Sequence, residues 1–255
     1  MLVLQVITDM IDSKFNFDRL KMYFGEPFEL PNGMVILQPT IGDILNVGEA
    51  PFYGNLNIFV GNPTMYRLKL WEAGVDWNKI SDFDLFTLLI KTCEIEYTQL
   101  LFDGIDFRNF ERVDLDENTA ILMNEKDKLI ITKEHYELMA KYIRTMFNIF
   151  PKVEKAKGKT TKEWMIQEEK DKLDKAKKEE YSSTLLPLIS ACVNHPGFKY
   201  KLQELKEVGI VQFMDSVQRI QVYETAIALN HGAYSGMCDM SKVDKSLLNF
   251  MRDIG

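Results

Sequence analysis

The sequence predicts a mostly α-helical protein of the α+β class with one small β-hairpin. Apolar residues recur at helical spacing in several segments, and many of these segments follow a residue suited to cap a helix. Between residues 113 and 132 the pattern changes to two short apolar runs around a polar turn. Helices and strands do not alternate along the chain, which argues against a doubly wound parallel sheet.

The first predicted elements lie on either side of a turn at residues 31–33, Pro-Asn-Gly. Residues 34–37 follow as a short strand, whereas the apolar run at residues 2–8 fits either a strand or a helix start. Thr40 and Asp43 form a capping-box pattern, because each side chain can reach the backbone amide of the other. A short helix is therefore predicted from residue 41.

Two helices are predicted between residues 62 and 93. The first opens at residues 62–64 and ends at Gly74, since glycine readily adopts the left-handed conformation that terminates a helix. Ser81 caps the second helix, whose apolar face includes Cys93. This cysteine is interpreted as a small core residue.

The hairpin and a strong amphipathic helix come next. Residues 120–123 and 129–131 form the predicted strands, with a polar loop between them. Thr132 is suited to cap the following helix, which Pro151 closes. The apolar face of that helix comprises Leu138, Met139, Tyr142, Ile143, Met146 and Phe147.

Residues 152–180 form the most unusual stretch of the chain, with ten lysines and eight acidic residues. Such a segment cannot bury enough apolar surface for a core of its own, and it should be helical from about residue 160. Trp164 is expected to dock this helix. The sequence is thus divided into an N-terminal α+β domain (1–151), a charged helical arm (152–180) and a C-terminal helical domain (181–255).

The C-terminal domain is predicted to contain a long amphipathic helix. It is expected to end at residues 230–232 and to lead into a flexible loop at residues 232–236. Ser241 then caps a last short helix that reaches about Arg252. The apolar stripe of the long helix comprises Ile210, Phe213, Val217, Ile220, Tyr223 and Ile227.

Composition limits the classes of partner. The 255 residues carry a net charge of −7, which argues against a general phosphate-binding surface and against nucleic-acid binding. Three cysteines give no disulfide framework. Apolar runs are shorter than the roughly 20 residues that span a membrane, and the N-terminal run lacks a basic flank and a cleavage site. A cytosolic protein without membrane contact is expected.

Catalytic and metal-binding patterns are weak. Cys192, His195, His231 and Cys238 could supply zinc ligands, but tight, repeated spacing is missing, and a buried thiol and a turn histidine are the simpler interpretation. Residues 157–160 end like a phosphate-binding loop but lack its upstream glycine. The sequence therefore predicts a non-enzymatic protein without catalytic residues, cofactor or metal.

Several strings resemble one family. They include residues 38–44 (QPTIGDI), 70–77 (LWEAGVDW), 80–86 (ISDFDLF), 212–221 (QFMDSVQRIQ) and 232–236 (GAYSG). Between about residues 35 and 250, the chain resembles tail assembly chaperones or minor tail proteins of tailed phages and prophages of Gram-positive bacteria.

A chaperone of this kind coats the apolar-helical tape measure protein before tube subunits polymerise. The resemblance implies action in the bacterial host cytoplasm, with the charged helix as a movable arm. Alternatives are a structural tail or neck protein of the virion, a phage protein that binds a host factor and, least favoured, a nuclease or peptidase. Homo-oligomer formation is left open. The expected partner-binding residues are Trp71, Trp77, Trp164, Phe213, Val217, Ile220 and Tyr223.

Overall fold

The computed structural model describes residues 16–116, 119–236 and 239–254. In this part of the chain the backbone forms ten α-helices, several single 3₁₀ turns and two small antiparallel sheets. The predicted mostly α-helical α+β class is confirmed. The apolar run at residues 2–8 lies outside the described residues.

The helices are numbered in chain order. They are α1 (Arg19–Tyr23), α2 (Ile41–Val47), α3 (Glu49–Val60), α4 (Arg67–Glu72), α5 (Asp82–Leu89), α6 (Ile95–Thr98), α7 (Lys133–Phe147), α8 (Lys159–Ala176), α9 (Leu185–Val193) and α10 (Ile210–Tyr234).

Two small sheets lie among these helices. Strand β1 (Phe28–Glu29) pairs with β2 (Val35–Ile36) across the turn predicted from Pro-Asn-Gly. Strand β3 (Glu111–Asp114) pairs with β4 (Ala120–Asn124), which also pairs with β5 (Leu129–Ile131). The β4–β5 hairpin confirms the sequence prediction, whereas β3 was not predicted because its residues do not alternate between apolar and polar.

Three helix starts follow their predicted caps. The Thr40 hydroxyl accepts a hydrogen bond from the Asp43 amide at 3.1 Å, and the Asp43 carboxylate accepts one from the Thr40 amide at 2.8 Å. Thr132 forms the same reciprocal pair with His135 at the start of α7, whereas Ser81 caps α5 by accepting from the Asp84 amide. By contrast, α4 begins later than predicted, because Asn62 accepts a hydrogen bond from the Met65 amide and forms a turn first.

One hydrophobic cluster joins the two ends of the chain. All six residues of the predicted apolar face of α7 are buried in it. Leu185, Cys192 and Phe213 belong to the same cluster, so the predicted N- and C-terminal domains share a core. The backbone also connects them, since the Ile210 amide donates to the Pro39 carbonyl at 3.0 Å.

Glu49 fastens α9 to the N-terminal part. Its carboxylate accepts hydrogen bonds from the Ser183 hydroxyl at 2.5 Å and from the Thr184 and Leu185 amides at 2.7 and 2.8 Å. Burial acts to raise the pKa of Glu49, but these hydrogen bonds outweigh it and hold the pKa below its ordinary value of 4.5. The carboxylate thereby stabilises the start of α9.

The charged helix α8 packs against a second, smaller hydrophobic cluster. Trp164 is not its anchor: this side chain is 65% exposed, whereas Ile166 is only 4% exposed and Met165 packs beside it. The prediction that Trp164 docks the helix is therefore wrong. The buried members of the cluster are Leu70, Trp77, Leu85, Ala156 and Ile166.

Ion pairs complete the docking of α8. The guanidinium of Arg67 lies 2.6 Å from the Glu154 carboxylate and 2.5 Å from that of Glu169. Lys162 pairs with Asp76 at 2.7 Å. The charged segment is thus held against α4 and the loop that follows it.

The C-terminal part differs from prediction in two places. Helix α10 continues through residues 230–232 to Tyr234, so most of the predicted flexible loop is helical. The last short helix is replaced by two 3₁₀ turns, Met240–Lys242 and Lys245–Leu248. Asp244, and not Ser241, caps the second turn by accepting from the Ser246 amide at 2.9 Å.

Candidate functional site

An open groove of about 660 Å³ lies on the outer side of α10. One wall is α10 itself, and the others come from the end of α1, from residues 195–200 and from residues 250–251. The groove is mostly apolar. Its aromatic residues are Tyr23, Phe198, Tyr200, Tyr223 and Phe250, and its main aliphatic residues are Ile220 and Met251.

Several aromatic rings of the groove are only partly covered. Tyr23 and Tyr223 are 42% and 43% exposed, and their hydroxyl-bearing rings present both apolar and polar surface. Phe198 and Tyr200 pack edge to face with ring centroids 5.6 Å apart. Such rings offer large contact areas with little side-chain entropy to lose, which suits protein recognition.

Two charged groups at the groove, Arg219 and Asp215, already have partners within the chain, whereas Lys199 is exposed in the lining. Arg219 donates to the carbonyl oxygens of Phe250 and Arg252 at 3.0 and 2.9 Å. Its guanidinium also lies 3.9 Å from the Asp215 carboxylate, one helical turn away. Because the lining is mostly apolar, apolar contact is the main attraction that the groove offers, and Lys199 adds one exposed positive charge.

His195 is held in one orientation at the rim. Its Nδ1 accepts a hydrogen bond from the Gly197 amide at 3.1 Å, and its Nε2 lies 2.9 Å from the Glu224 carboxylate. An accepting Nδ1 requires the proton to sit on Nε2, which therefore donates to Glu224. This histidine fixes the turn at residues 194–197 against α10.

Only part of the predicted partner-binding set meets in this groove. Ile220 and Tyr223 line it. Val217 is partly buried and packs on the main core. Phe213 and Trp77 are 0% and 3% exposed, so these two side chains are core residues and unavailable to a partner.

The remaining two predicted residues lie on the α4–α8 side of the fold. Trp71 is partly buried and stands edge to face with Trp77, with ring centroids 6.1 Å apart. Trp164 is exposed on α8. The sequence prediction did not include Tyr23, Phe198 and Phe250, which also line the groove. They come from short segments without apolar periodicity, so their aromatic side chains were the only signal that could have pointed to them.

No group of three metal-ligating side chains converges within the described ranges. Cys192 is buried, and burial raises the pKa of its thiol. Burial likewise raises the pKa of Cys93 to about 12. Both described cysteines are therefore thiols that pack as small apolar residues. Cys238, a weak zinc candidate, lies outside the described residues.

Comparison of the chain with protein-family models, curated proteins and solved structures finds no match. Among the described helices, none is both long and apolar enough to cross a membrane.

Proposed function

We propose that this chain is a non-enzymatic tail assembly chaperone that binds the tape measure protein of a tailed phage in the bacterial host cytoplasm. The observation that carries the proposal is the aromatic groove along α10, where Tyr23, Ile220 and Tyr223 present partly exposed apolar surface. An apolar segment of another protein gains free energy by covering such a surface. The sequence resemblance supplies the identity of the partner.

The proposed contact set differs from the one expected from sequence. Phe213 and Trp77 stabilise the fold, while Tyr23, Phe198 and Tyr200 join Ile220 and Tyr223 at the binding surface. Trp164 and Trp71 are kept as a second, separate contact region beside α8. The charged helix is proposed to move only when its ion pairs with α4 are broken.

Co-expression with the full tape measure protein tests the proposal. The wild-type chain is expected to co-purify with it, and Tyr223→Ala is expected to reduce the recovered complex about tenfold, as removal of a central aromatic contact commonly does. Tyr234→Ala is the matched control, because Tyr234 lies on the same helix, is 89% exposed and does not line the groove.

Absence of the tape measure protein from wild-type preparations would refute the proposal. Equal recovery with both variants would refute the groove as the binding surface. Mass spectrometry of purified virions separates the chaperone from the structural tail or neck protein, since a chaperone should be absent from the particle or present only in traces.

A further inference from the structure

The C-terminal segment of this chain is itself seated at the groove. The ring of Phe250 packs edge to face on Tyr223, with centroids 5.8 Å apart. The turn Lys245–Leu248 packs against α10. On this helix, Val222 and Ala226 are only 8% and 3% exposed. Neither residue belongs to the main core cluster, so the main core does not account for their burial. Residues 244–252 therefore cover an apolar strip of α10.

The contact between this segment and the groove is only partly buried at residues 250 and 251. Phe250 remains 47% exposed and Met251 remains 74% exposed, so a large part of both side chains is still in water. A ring that is half covered contributes only part of the free energy that full burial would provide. The rest of the groove stays open next to Phe250.

The hydrogen bonds from Arg219 to residues 244–252 do not depend on the segment's side chains, whereas the next residue, Asp253, pairs through its side chain with Arg19 at 3.6 Å. Arg219 donates to two backbone carbonyl oxygens, those of Phe250 and Arg252. Any chain that lies in the same direction presents carbonyl groups at similar spacing. Arg219 can therefore make the same hydrogen bonds to a different polypeptide.

We infer that residues 244–252 are a displaceable internal ligand of the groove, and that the partner is a segment carrying an aromatic residue followed by a methionine or aliphatic residue. The inference rests on the proposed function, because it concerns the same groove. The partner's aromatic ring takes the place of Phe250 on Tyr223, and its backbone accepts hydrogen bonds from Arg219. The segment Leu-Leu-Asn-Phe-Met at residues 247–251 is the example of a partner sequence that fits the groove.

A peptide with the sequence of residues 243–254 provides the probe. Its affinity is measured by fluorescence anisotropy for the full-length wild-type chain and for a full-length Phe250→Ala/Met251→Ala variant. The variant is expected to bind the peptide at least about tenfold more tightly, because its own segment competes less well. Equal affinities would overturn the inference.

Two further variants establish where the peptide binds. In the Phe250→Ala/Met251→Ala background, Tyr223→Ala is expected to abolish binding, whereas Tyr234→Ala is expected to leave it unchanged. Retained binding with Tyr223→Ala overturns the inference. If the peptide fails to bind while capture of the tape measure protein still depends on Tyr223, the internal ligand alone is refuted. If capture no longer depends on Tyr223, the groove is refuted as the binding surface. The proposed function itself is refuted only if the wild-type chain captures no tape measure protein.

Discussion

Replacement of Arg67 by methionine is expected to lower the free energy of unfolding by about 2 kcal/mol. The Arg67 side chain is only 8% exposed and bridges Glu154 and Glu169, which lie 87 and 102 residues further along the chain. Burial acts to lower the pKa of Arg67, but the two carboxylates outweigh it and raise the pKa, which keeps the guanidinium charged. Methionine preserves an apolar stem and removes both ion pairs.

The magnitude follows from the exposure of the partners. A hydrogen bond to a charged group contributes about 1.5–3 kcal/mol when removal leaves a buried partner unpaired. Glu154 and Glu169 are 48% and 32% exposed, so water hydrates the freed carboxylates and each bond is discounted to about 1 kcal/mol. Two such bonds give the expected loss.

Urea unfolding at neutral pH measures this loss, and two variants calibrate it. Arg67→Lys keeps the charge, but a compact ammonium cannot span both carboxylates as the forked guanidinium does, so an intermediate loss is expected. Lys91→Ala removes an exposed pair with Glu111 and should cost less than about 1 kcal/mol.

Limited trypsin digestion reports on the helix itself. Helix α8 contains many lysines, and loss of its docking should accelerate cleavage there in Arg67→Met before the rest of the chain is cut. If Arg67→Met unfolds within about 0.5 kcal/mol of Lys91→Ala and is digested at the wild-type rate, the reasoning that ion pairs hold α8 in place is refuted.

Two further predictions concern packing and pH. Gly42→Ala should destabilise the chain by about 1–3 kcal/mol, since a Cβ there would lie 2.7 Å from the Lys206 carbonyl oxygen. Gly54→Ala should stabilise the chain by about 0.5–1 kcal/mol, because a Cβ at this helical position meets nothing within 4 Å. Thermal unfolding of both variants checks the opposite signs, and a shared sign would contradict them. Glu49→Gln should cost about 1 kcal/mol at neutral pH. Because the folded-state pKa of Glu49 is lowered, the stabilisation that its carboxylate provides is present above pH 4.5 and is lost as pH falls through the lowered pKa. In urea titrations, the difference in unfolding free energy between Glu49→Gln and wild type should therefore shrink below pH 4.5. A difference independent of pH would contradict the role of the carboxylate.

Local signals were sufficient for three helix starts and one hairpin, although the equally local prediction of a Ser241 cap was wrong. Thr40, Ser81 and Thr132 cap helices by bonding to amides three residues away, and the sequence carries both partners within one short window. The β4–β5 hairpin is equally local. These elements were therefore predicted with nearly the observed bounds.

Distant pairings left no comparable signal. Thr40 forms a β-bridge with Gly209, which ties the start of α2 to the start of α10 across most of the chain. Arg67 finds its carboxylates in a segment that looked like a solvated charged run. The shared core could not be predicted from the sequence, because neither contact leaves a periodic pattern.

The sequence also did not determine which side chains of α8 and α10 are buried. Trp164 and Ile166 both belong to the short apolar run at residues 164–166 of α8, and the larger side chain of tryptophan favours it as the anchor. Ile166 is instead buried in the same cluster as Trp77, and Trp164 is exposed to solvent. Phe213 was assigned to a partner because it lies on the apolar stripe of the long helix, but it is fully buried in the main core.

The two candidate contact regions differ in kind. At α8, Arg67 and Lys162 are engaged by carboxylates of the chain itself, so the exposed ring of Trp164 is the main contact that this region offers. At the groove Arg219 is already engaged by Asp215 and by backbone carbonyls, which leaves Lys199 as the exposed charge of the lining. Selection there comes mainly from the shape and size of apolar side chains, and Lys199 favours a partner with an acidic group beside its apolar segment.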